Sequence, residues 1–443
     1  MALSEKIIRL WRMISTMKKW YLLLLVFVLI TPFSYVHATS ENEPEVEIKP
    51  SKNYYVRKFF LFPLELPSYA IKIATLPIGV LLKFAEDTGA VEKTLNFLSS
   101  KDKTLWVYPI VEGGAGSGFG GGLGVRDTDL FHRGYLLGAS YKIHIDMSQQ
   151  AMISFGKPHA FELFGRPVSY SIGSKYQRGH EYNFYGIGND SARSNQSLFG
   201  GNDINSGAAI SIELLDNFSI SPYFGVDAGN SRPKGGSSSL PSVQDTFLPA
   251  ELNGFDKWVD YLDFGVRLAH DTRDSIEATE KGGLRDFTFM RFYGFNRSGY
   301  NYNHYQLEAK QYFRLFMPRQ VLLLRANLVV NTPTGGGQIP FWRLATLDVN
   351  SPLRGFASGR FRDNDSLLFN VEYRYPVWHL MDGVLFYDTG RVFNKLSNIS
   401  LDDIKYSVGG GLHFTIPNIA FFKFYMAYGG EGLNYIFGAS KPL

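Results

Sequence analysis

The chain has 443 residues, with 45 lysines and arginines against 41 aspartates and glutamates, so its formal net charge is only +4. This small excess excludes a strongly basic nucleic-acid-binding surface, and the absence of cysteine excludes disulfides, zinc–thiolate sites and iron–sulfur clusters. The composition is rich in Phe (36), Tyr (26) and Gly (45). Because aromatic residues favour strands and glycine favours tight turns, the composition predicts an all-β protein.

The N-terminal segment is typical of a secretory signal. Two lysines precede a ten-residue apolar run at residues 21–30, and a small-residue cleavage site ending at Ala38 follows. The apolar run is about half of the ~20 residues that a helix needs to span a bilayer. We therefore predict a signal peptide at residues 1–38, with either Met1 or Met17 as the start. The alternative is an N-terminal membrane anchor.

Four long segments alternate apolar and polar side chains as a transmembrane strand requires. In segment 366–377, Phe369 and Val371 share one face while Asn370 and Glu372 share the other. The same alternation recurs in segments 135–145, 261–269 and 305–314. A soluble β-sandwich also alternates, but its strands are usually shorter, about 5–6 residues. Tyr and Phe also recur near the ends of these segments, as an interfacial aromatic girdle requires, so the pattern favours a membrane barrel with a polar lumen.

Counting strands from Leu105 to Leu443 predicts a sixteen-stranded antiparallel transmembrane β-barrel over residues 101–443. Tight turns are predicted at residues 127–130, 216–217, 317–319, 378–381 and 417–418, and longer polar loops at 181–204, 231–256 and 332–365. An even number of strands places both barrel ends on the periplasmic side, so the long loops face outward. The barrel must close, because each unpaired backbone group at an open edge costs several kcal/mol in lipid.

Residues 39–100 are predicted to form a periplasmic leader. The first part is acidic and contains proline, whereas residues 66–99 show helical apolar spacing interrupted by Pro77. We expect one or two amphipathic helices under the barrel mouth or on the inner-leaflet surface. The alternative is a plug packed inside the lumen.

The last long loop, sixth on the outer side, contains the run Arg354-Gly355-Phe356. Predicted strand thirteen carries an F-x-D-x-G pattern whose named residues are Phe386, Asp388 and Gly390. Strand parity points these three residues into the lumen. A buried aspartate there needs a cation, and an arginine on an inward-folding loop supplies a forked, charge-assisted partner. The pair has two alternative roles, a static ion pair that holds the shape of the barrel or a gate.

These two motifs, in this order, resemble the bacterial surface antigen family, which includes the BamA/TamA-type outer-membrane assembly barrels and the two-partner secretion translocators. A third element agrees with the resemblance, since Asp271, Arg273 and Asp274 form a D-x-R-D pattern in a predicted periplasmic turn. The resemblance covers residues 101–443. It implies a sixth loop tucked into the lumen, with Arg354 contacting Asp388, and a weak seam between the first and last strands where client strands or lipids are handled.

Two features depart from the family pattern. Family members that insert or translocate clients carry repeated periplasmic POTRA domains, but the segment between the signal and the barrel is too short for one, so we expect a barrel without them. The sequence also ends in Lys441-Pro442-Leu443 and not in the terminal Phe that is common in outer-membrane strands.

The sequence therefore predicts a bacterial outer-membrane protein with a non-enzymatic role in assembling or translocating protein or lipid. The alternatives are a passive pore or a surface scaffold on the same barrel. An outer-membrane hydrolase is a third hypothesis, but the sequence contains neither an H-E-x-x-H nor a G-x-S-x-G pattern. We expect no catalytic residues, cofactor or metal. The expected partners are outer-membrane lipids, client proteins or a separately encoded periplasmic protein, and no nucleic acid.

Overall fold

The computed structural model describes residues 72, 75–114, 118–276, 278–296, 298–347, 353–416 and 420–440. The predicted signal peptide, the acidic part of the leader, the turn at 417–418 and the last three residues lie outside this part of the chain. Among the helices that the structure describes, none has the length and apolar character needed to cross a bilayer.

Sixteen strands of the described chain form one closed antiparallel barrel, in which each strand pairs with its neighbour in sequence and the first pairs with the last. The first eight are β1 (Leu105–Gly114), β2 (Gly118–Leu130), β3 (Tyr135–His144), β4 (Gln149–Leu163), β5 (Arg166–Phe184), β6 (Ser197–Leu215), β7 (Phe218–Pro233) and β8 (Val259–Asp271). The others are β9 (Gly282–Gly294), β10 (Tyr302–Arg314), β11 (Val321–Pro333), β12 (Asp365–Trp378), β13 (Met381–Phe393), β14 (Lys405–Ile416), β15 (Ala420–Tyr428) and β16 (Leu433–Ser440). The predicted fold class is thus confirmed.

The alternation of side chains gives the barrel its two faces. On β13, Leu385 and Tyr387 are exposed on the outer face, whereas Phe386 and Asp388 are buried on the inner face. Val371 on the neighbouring β12 is also exposed, and Glu372 next to it faces inward. Because successive strand residues point to opposite faces, one polar residue in two suffices to line the lumen while apolar residues meet lipid.

Several predicted boundaries are wrong. The turn expected at 127–130 lies inside β2, where the ladder shifts register between Asp127 and Leu130, and the turn follows at residues 131–134. Phe131 and His132 have left-handed backbone angles, with φ of 60° and 54°. The polar residues that predicted a turn therefore form a bulge, since the side chain of Asp127 accepts a hydrogen bond from the backbone of Asp129 at 2.9 Å.

The long loops are shorter than predicted because the strands extend further outward. The third, fourth and sixth outer loops comprise residues 185–196, 234–258 and 334–364. They contain a four-residue helix at Val243–Thr246, 3-10 turns at Arg193–Asn195 and Phe341–Arg343, and a two-stranded pair formed by Ala345–Thr346 and Arg362–Asp363. Further 3-10 turns lie at Ser298–Tyr300 and Leu396–Asn398.

An aromatic cluster closes the outer end of the barrel. Phe341 of the sixth loop is fully buried and packs edge-on against Phe184 and Phe199, at ring-centroid distances of 5.1 and 5.0 Å. Phe247 of the fourth loop packs on Phe184 at 4.8 Å. The outer loops thus share one apolar core above the polar lumen.

Two helices precede the barrel, α1 (Leu76–Asp87) and α2 (Ala90–Phe97). Pro77 lies in the first turn of α1, where its missing N–H breaks no helical hydrogen bond. The helix contacts Trp378 at the periplasmic end of β12, whose indole Nε1 donates to Thr75 Oγ1 at 3.1 Å. A stripe of Leu76, Val80 and Phe84 on α1 remains exposed.

Candidate functional site

The sixth outer loop brings Arg354 against the inner faces of β12 and β13. Its guanidinium forms a bidentate ion pair with Asp388, in which Nε donates to Oδ2 at 2.9 Å and NH2 donates to Oδ1 at 2.7 Å. The third guanidinium nitrogen, NH1, donates to Glu372 Oε2 at 2.8 Å. All three side chains are nearly or fully buried, so this is a desolvated charge cluster with one cation and two carboxylates.

Asp388 is also held by neutral donors. Asn370 Nδ2 donates to Oδ1 at 2.8 Å, Ser407 Oγ donates to Oδ2 at 3.2 Å, and the backbone N–H of Arg354 donates to Oδ2 at 3.2 Å. The carboxylate is therefore saturated with hydrogen bonds although it has no contact with solvent. A buried charge that is paired and fully hydrogen-bonded avoids most of the penalty of desolvation.

Aromatic rings complete the arginine pocket. The guanidinium carbon of Arg354 lies 3.5 Å from the ring centroid of Phe386 and 4.9 Å from that of Tyr425. Burial by itself lowers the pKa of Arg354, but the hydrogen bonds that Arg354 donates to Asp388 and the charge of Glu372 outweigh it and raise the pKa. Arg354 is therefore a cation in this pocket.

The glycines of the two motifs permit close approach of the loop to the wall. A Cβ on Gly355 would lie 2.5 Å from the backbone nitrogen of Gly429 and 2.6 Å from Ser407 Cβ. A Cβ on Gly390 would lie 2.9 Å from the carbonyl oxygen of Leu367. Neither position has room for a side chain. Phe356 packs edge-on against Phe361, at 5.1 Å between centroids, in an apolar cluster beside the charged pocket.

The last strand also contacts the sixth loop. Asn434 on β16 donates from Nδ2 to the carbonyl oxygens of Arg354, at 2.8 Å, and Phe356, at 2.9 Å. The site therefore extends from β12 to β16, the strand that closes the barrel.

The closure between β1 and β16 is described at four residue pairs, residues 111–114 against 436–439. The adjoining residues 115–117 and 441–443 lie outside the described part of the chain, and ten described pairs join β1 to β2. On the lipid face Phe437 covers Gly113, and its ring lies 5.8 Å from that of Phe119. The described part of β16 thus reaches only the outer half of β1.

The periplasmic half of β1 is covered by the segment that precedes it. Val107 N donates to the carbonyl oxygen of Leu98 at 2.8 Å, and Ser100 N donates to that of Leu105 at 2.9 Å. Pro109 lies between this contact and the four seam pairs, at an edge position where proline is tolerated because it has no N–H. The edge of β1 is therefore occupied partly by its own linker.

A family model for the Omp85 superfamily domain matches residues 129–434. The chain belongs to the Omp85 superfamily. A search of curated proteins gives no significant match. Among solved structures, the chain is similar to BamA from Haemophilus ducreyi lacking POTRA domains 1–3, with a TM-score of 0.56, 16% identity, and coverage of 76% of this chain and 70% of that one. It is also similar to CdiB from Acinetobacter baumannii, with a TM-score of 0.47 and 12% identity, covering 76% of this chain and 59% of that one.

These findings confirm the resemblance to the surface-antigen, BamA/TamA-like barrels and place the chain among bacterial outer-membrane β-barrel proteins. At 16% identity, the similarity to BamA shows a shared fold and nothing further. This Omp85 barrel spans about three fifths of the CdiB chain.

A second arginine of the sixth loop contacts the opposite wall of this Omp85 barrel. Arg343 NH2 donates to Asp203 Oδ1 on β6 at 2.7 Å, and NH1 donates to Asp227 Oδ2 on β7 at 3.0 Å. Its guanidinium carbon lies 5.1 Å from the ring centroid of Tyr261 on β8. Burial opposes the charge of Arg343, but Asp227 and Asp203 raise its pKa well above the usual value. The loop is therefore tied to both sides of the lumen.

A third arginine of the loop contacts its neighbours at the outer rim. Arg360 Nε donates to Glu431 Oε1 at 2.9 Å, in the loop between β15 and β16, and NH2 donates to the carbonyl oxygen of Ser191 at 2.7 Å, in the third loop.

The D-x-R-D motif lies at the other end of the barrel, in the periplasmic turn between β8 and β9. Arg273 donates to Asp271 through Nε at 2.8 Å and NH2 at 2.6 Å, and Asp274 accepts from the backbone of Glu280 at 3.0 Å. Glu280 in turn accepts from the backbone of Arg319 at 3.0 Å, in the next periplasmic turn. The motif thus shapes and links turns, and the structure does not bring it to Arg354.

Sequence reasoning missed Glu372, Asn434 and Arg343 as partners in the loop contacts. Strand parity places Glu372 on the lumen face, so a search for every inward carboxylate near Asp388 finds it. The sequence signal that could have indicated a role for Arg343 is its position directly after two aromatic residues in the loop. Asp203 and Asp227, which face the lumen, are the carboxylates it could have been expected to bind. The pairing itself depends on which strands the loop crosses, and this is not encoded in local pattern.

Proposed function

We propose that this Omp85 barrel assembles or translocates protein or lipid at the outer membrane without enzymatic chemistry, and that the β1–β16 seam is the place where clients enter. The observation that supports the proposal is the seam itself, where the described residues register four pairs and the linker at residues 98–100 occupies the edge of the periplasmic half of β1. An exposed strand edge is a template for pairing with another chain, and a short ladder is the least stable part of a closed sheet.

The sixth loop contacts both β16 at the seam and the wall strands β12 and β13, which supports a coupling between the loop and the opening of the seam. Asn434 on β16 holds the backbone of the loop, and Arg354 holds β12 and β13. We propose that the loop stays folded into the lumen and keeps the seam closed until a client displaces β16. In this view the Arg354 cluster is a rigid support, and its motif residues Arg354, Gly355, Phe356, Phe386, Asp388 and Gly390 act in positioning the loop.

The linker at residues 98–100 adds a second element. It occupies backbone groups of β1 that an incoming strand would use, so a client that pairs with the periplasmic half of β1 must first displace it. The exposed apolar stripe of α1 supports the proposal that the leader lies in the periplasmic leaflet of the membrane. We further propose that residues 1–38 direct export, that residues 39–100 form this leader, and that the partners are outer-membrane lipids, client proteins and a periplasmic protein.

The test is a disulfide across the seam. Gly114 and Ile436 are directly paired, and opposed Cα atoms in an antiparallel ladder lie about 4.5–5.5 Å apart, within the range a disulfide spans. The chain has no cysteine of its own, so Gly114→Cys with Ile436→Cys gives a single designed bond. We expect the oxidised protein in vesicles to lose its acceleration of the folding of a urea-unfolded outer-membrane barrel protein, and reductant to restore it.

The matched control joins β16 to β15 instead of β1. Met426 and Tyr435 are also directly paired, and a bond between them leaves the seam free. Oxidation of Met426→Cys with Tyr435→Cys is expected to leave client folding unchanged. Equal inhibition by both disulfides, or equal activity of the seam-locked and reduced proteins, would contradict entry at the seam. Loss of client folding in every form but retained exchange of labelled lipid would indicate a lipid role.

A further inference from the structure

A groove with a volume of about 460 Å³ lies on the lipid-facing side of strands β4 to β7. Its rims are the exposed side chains of Ile153, Ile172 and Phe224, and its floor is formed by small residues that include Ser174 and Ser206. The hydroxyls of the two serines lie 2.8 Å apart and hydrogen-bond to each other. Because a hydrogen-bonded hydroxyl is less costly to cover with hydrocarbon than a free one, the floor tolerates an apolar chain.

Two arginines lie on the same face, nearer to the outer end of the strands. On β5, Ser174 lies in the groove, so Arg178, four residues further along, shares its face. On β7, Asp227 binds Arg343 in the lumen, so Arg232, five residues further along, points to the opposite, outer face. Both strands run toward the outer loops at this point, which places the arginines between the groove and the outer rim.

The two guanidinium groups have buried donors without acceptors. Nε of Arg178, and Nε and NH2 of Arg232, are buried, and no residue in the described part of the chain accepts a hydrogen bond from them. The strand between the two arginines, β6, presents Gly200, whose ladder partner is Arg232, and a Cβ there would lie 3.3 Å from Cγ of Arg232. Arg232 therefore lies over bare backbone of the strand that separates it from Arg178. Buried donors of this kind are costly when unpaired, and a forked anion satisfies them.

The spacing of the arginines and the groove matches the depth of one leaflet. Arg178 pairs with Gln149 on β4, and Lys157, eight residues further along the same outer face, lies 4.7 Å from the ring centroid of Tyr135. At about 3.3 Å per residue and a tilt of about 40°, these eight residues cross about 20 Å, close to the apolar band of about 25 Å of such barrels. Gln149 and Arg178 thus mark the outer edge of the band, and Ile153 in the groove lies midway. An acyl chain whose headgroup is at the arginines ends in the groove.

We propose that β4 to β7 bind a phosphorylated glycolipid of the outer leaflet, with its phosphate between Arg178 and Arg232 and one acyl chain in the groove. Arginine forks match phosphate oxygens. The amide side chains of Gln149, Asn202 and Asn230 follow one another in the ladder at the level of Arg178 and suit the hydroxyls of a sugar headgroup. An ordinary lipid-facing wall accounts for an apolar surface, but not for a recess aligned with two cations that lack acceptors. The inference does not rest on client entry at the seam, which lies on a different part of the wall.

The test is native mass spectrometry of the purified full chain, titrated in detergent with bis-phosphorylated lipid A. We expect one lipid A per barrel and much weaker binding of dephosphorylated lipid A, which keeps the acyl chains. Arg178→Gln with Arg232→Gln is expected to weaken the binding of lipid A about tenfold or more, because it removes charge-assisted hydrogen bonds to phosphate. Ser206→Leu fills the floor of the groove and is expected to weaken binding although both arginines remain. Inorganic phosphate should not compete, since it has no chain, and competition by it would mean a free-anion site and overturn the lipid assignment.

Arg291→Gln is the matched control, because Arg291 shares the outer face with its ladder partner Phe264 but donates from NH1 to Asn303 Oδ1 at 3.0 Å. This variant should bind lipid A as the unmodified chain does. Equal weakening in Arg291→Gln, or unchanged binding in the double arginine variant or in Ser206→Leu, would overturn the inference.

A second copy of the chain is the competing occupant of the groove. A dimer of barrels that Ser206→Leu disperses would assign the groove to that copy and overturn the lipid site. Folding of each variant is checked by heat-modifiable gel migration. If the double arginine variant does not fold, the unmodified chain decides the role of phosphate, and equal binding of lipid A and its dephosphorylated form would overturn the site.

Discussion

At the scale of single residues, the Arg354 cluster shows how a barrel lumen holds a charge without water. A buried ion pair by itself contributes little net stability, because desolvation opposes the attraction. Here the carboxylate of Asp388 accepts from Arg354, Asn370 and Ser407, and Glu372 takes the remaining guanidinium nitrogen. The cluster therefore fixes geometry more than it adds stability, and its effect appears when one member is removed.

Asp388→Ala is expected to loosen the sixth loop. Arg354 keeps Glu372 but loses the forked partner, and breaking a buried pair in this way costs on the order of 3 kcal/mol. We expect limited proteolysis of the folded barrel to cut faster between residues 334 and 364, with mass spectrometry locating the sites.

Asp216→Ala provides the comparison, because Asp216 lies in an exposed periplasmic turn and, within the described residues, pairs with the partly exposed Arg166. Cleavage of the sixth loop in this variant should match that of the unmodified chain. If Asp388→Ala is cut no faster than Asp216→Ala, the pair does not hold the loop.

At the scale of elements, the described contacts attach α1 and the residues before it to the barrel at Trp378. Trp378 donates a hydrogen bond to Thr75, the ammonium of Lys72 lies 5.1 Å from its ring centroid, and Gly79 faces the ring so closely that a Cβ would overlap it. Trp378→Ala is expected to weaken the docking of α1 by about 2 kcal/mol through lost apolar contact. Hydrogen exchange of the amides in residues 76–97 should then accelerate in detergent.

Trp258→Ala is the corresponding control, since Trp258 lies on the outer side and is partly exposed. Its removal should leave exchange in α1 unaffected. Equal protection of α1 in the two variants would show that the helix is held by contacts other than Trp378.

The strands and turns also show how much of the fold a local sequence pattern predicts. Alternation over long segments identified the barrel because one face must meet lipid, and parity alone placed Phe386 and Asp388 inside. Turns were less predictable, since Asp127 and Asp129 lie in a bulge of β2 where only a tertiary ladder decides between bulge and turn. The Arg343 contacts depend on the path of a long loop across the lumen, and no local periodicity records that path.

At the scale of the whole molecule, pairing is uneven around the ring. The β5 and β6 strands are 19 residues each and register fifteen pairs, whereas the described part of the β1–β16 seam registers four. Loop contacts reinforce the unevenness, because the aromatic cluster of the outer loops packs over the β5–β6 side. Among the described residues, the ladders thus range from fifteen pairs between β5 and β6 to four pairs at the seam.

This unevenness predicts a gradient of amide exchange around the barrel. Each backbone hydrogen bond contributes about 0.5–1.5 kcal/mol, so the amides of β16 and of the four seam residues of β1 should exchange by local opening, at least on the order of tenfold faster than those in the middle of β5 and β6. Hydrogen exchange with mass spectrometry on the barrel in lipid nanodiscs measures this directly. Oxidation of the Gly114→Cys, Ile436→Cys pair should slow exchange at the seam and leave β5–β6 unchanged, because the disulfide removes only the local opening. Uniform exchange around the ring would mean that the seam opens no more readily than the rest of the wall, and clients would then have no preferred point of entry.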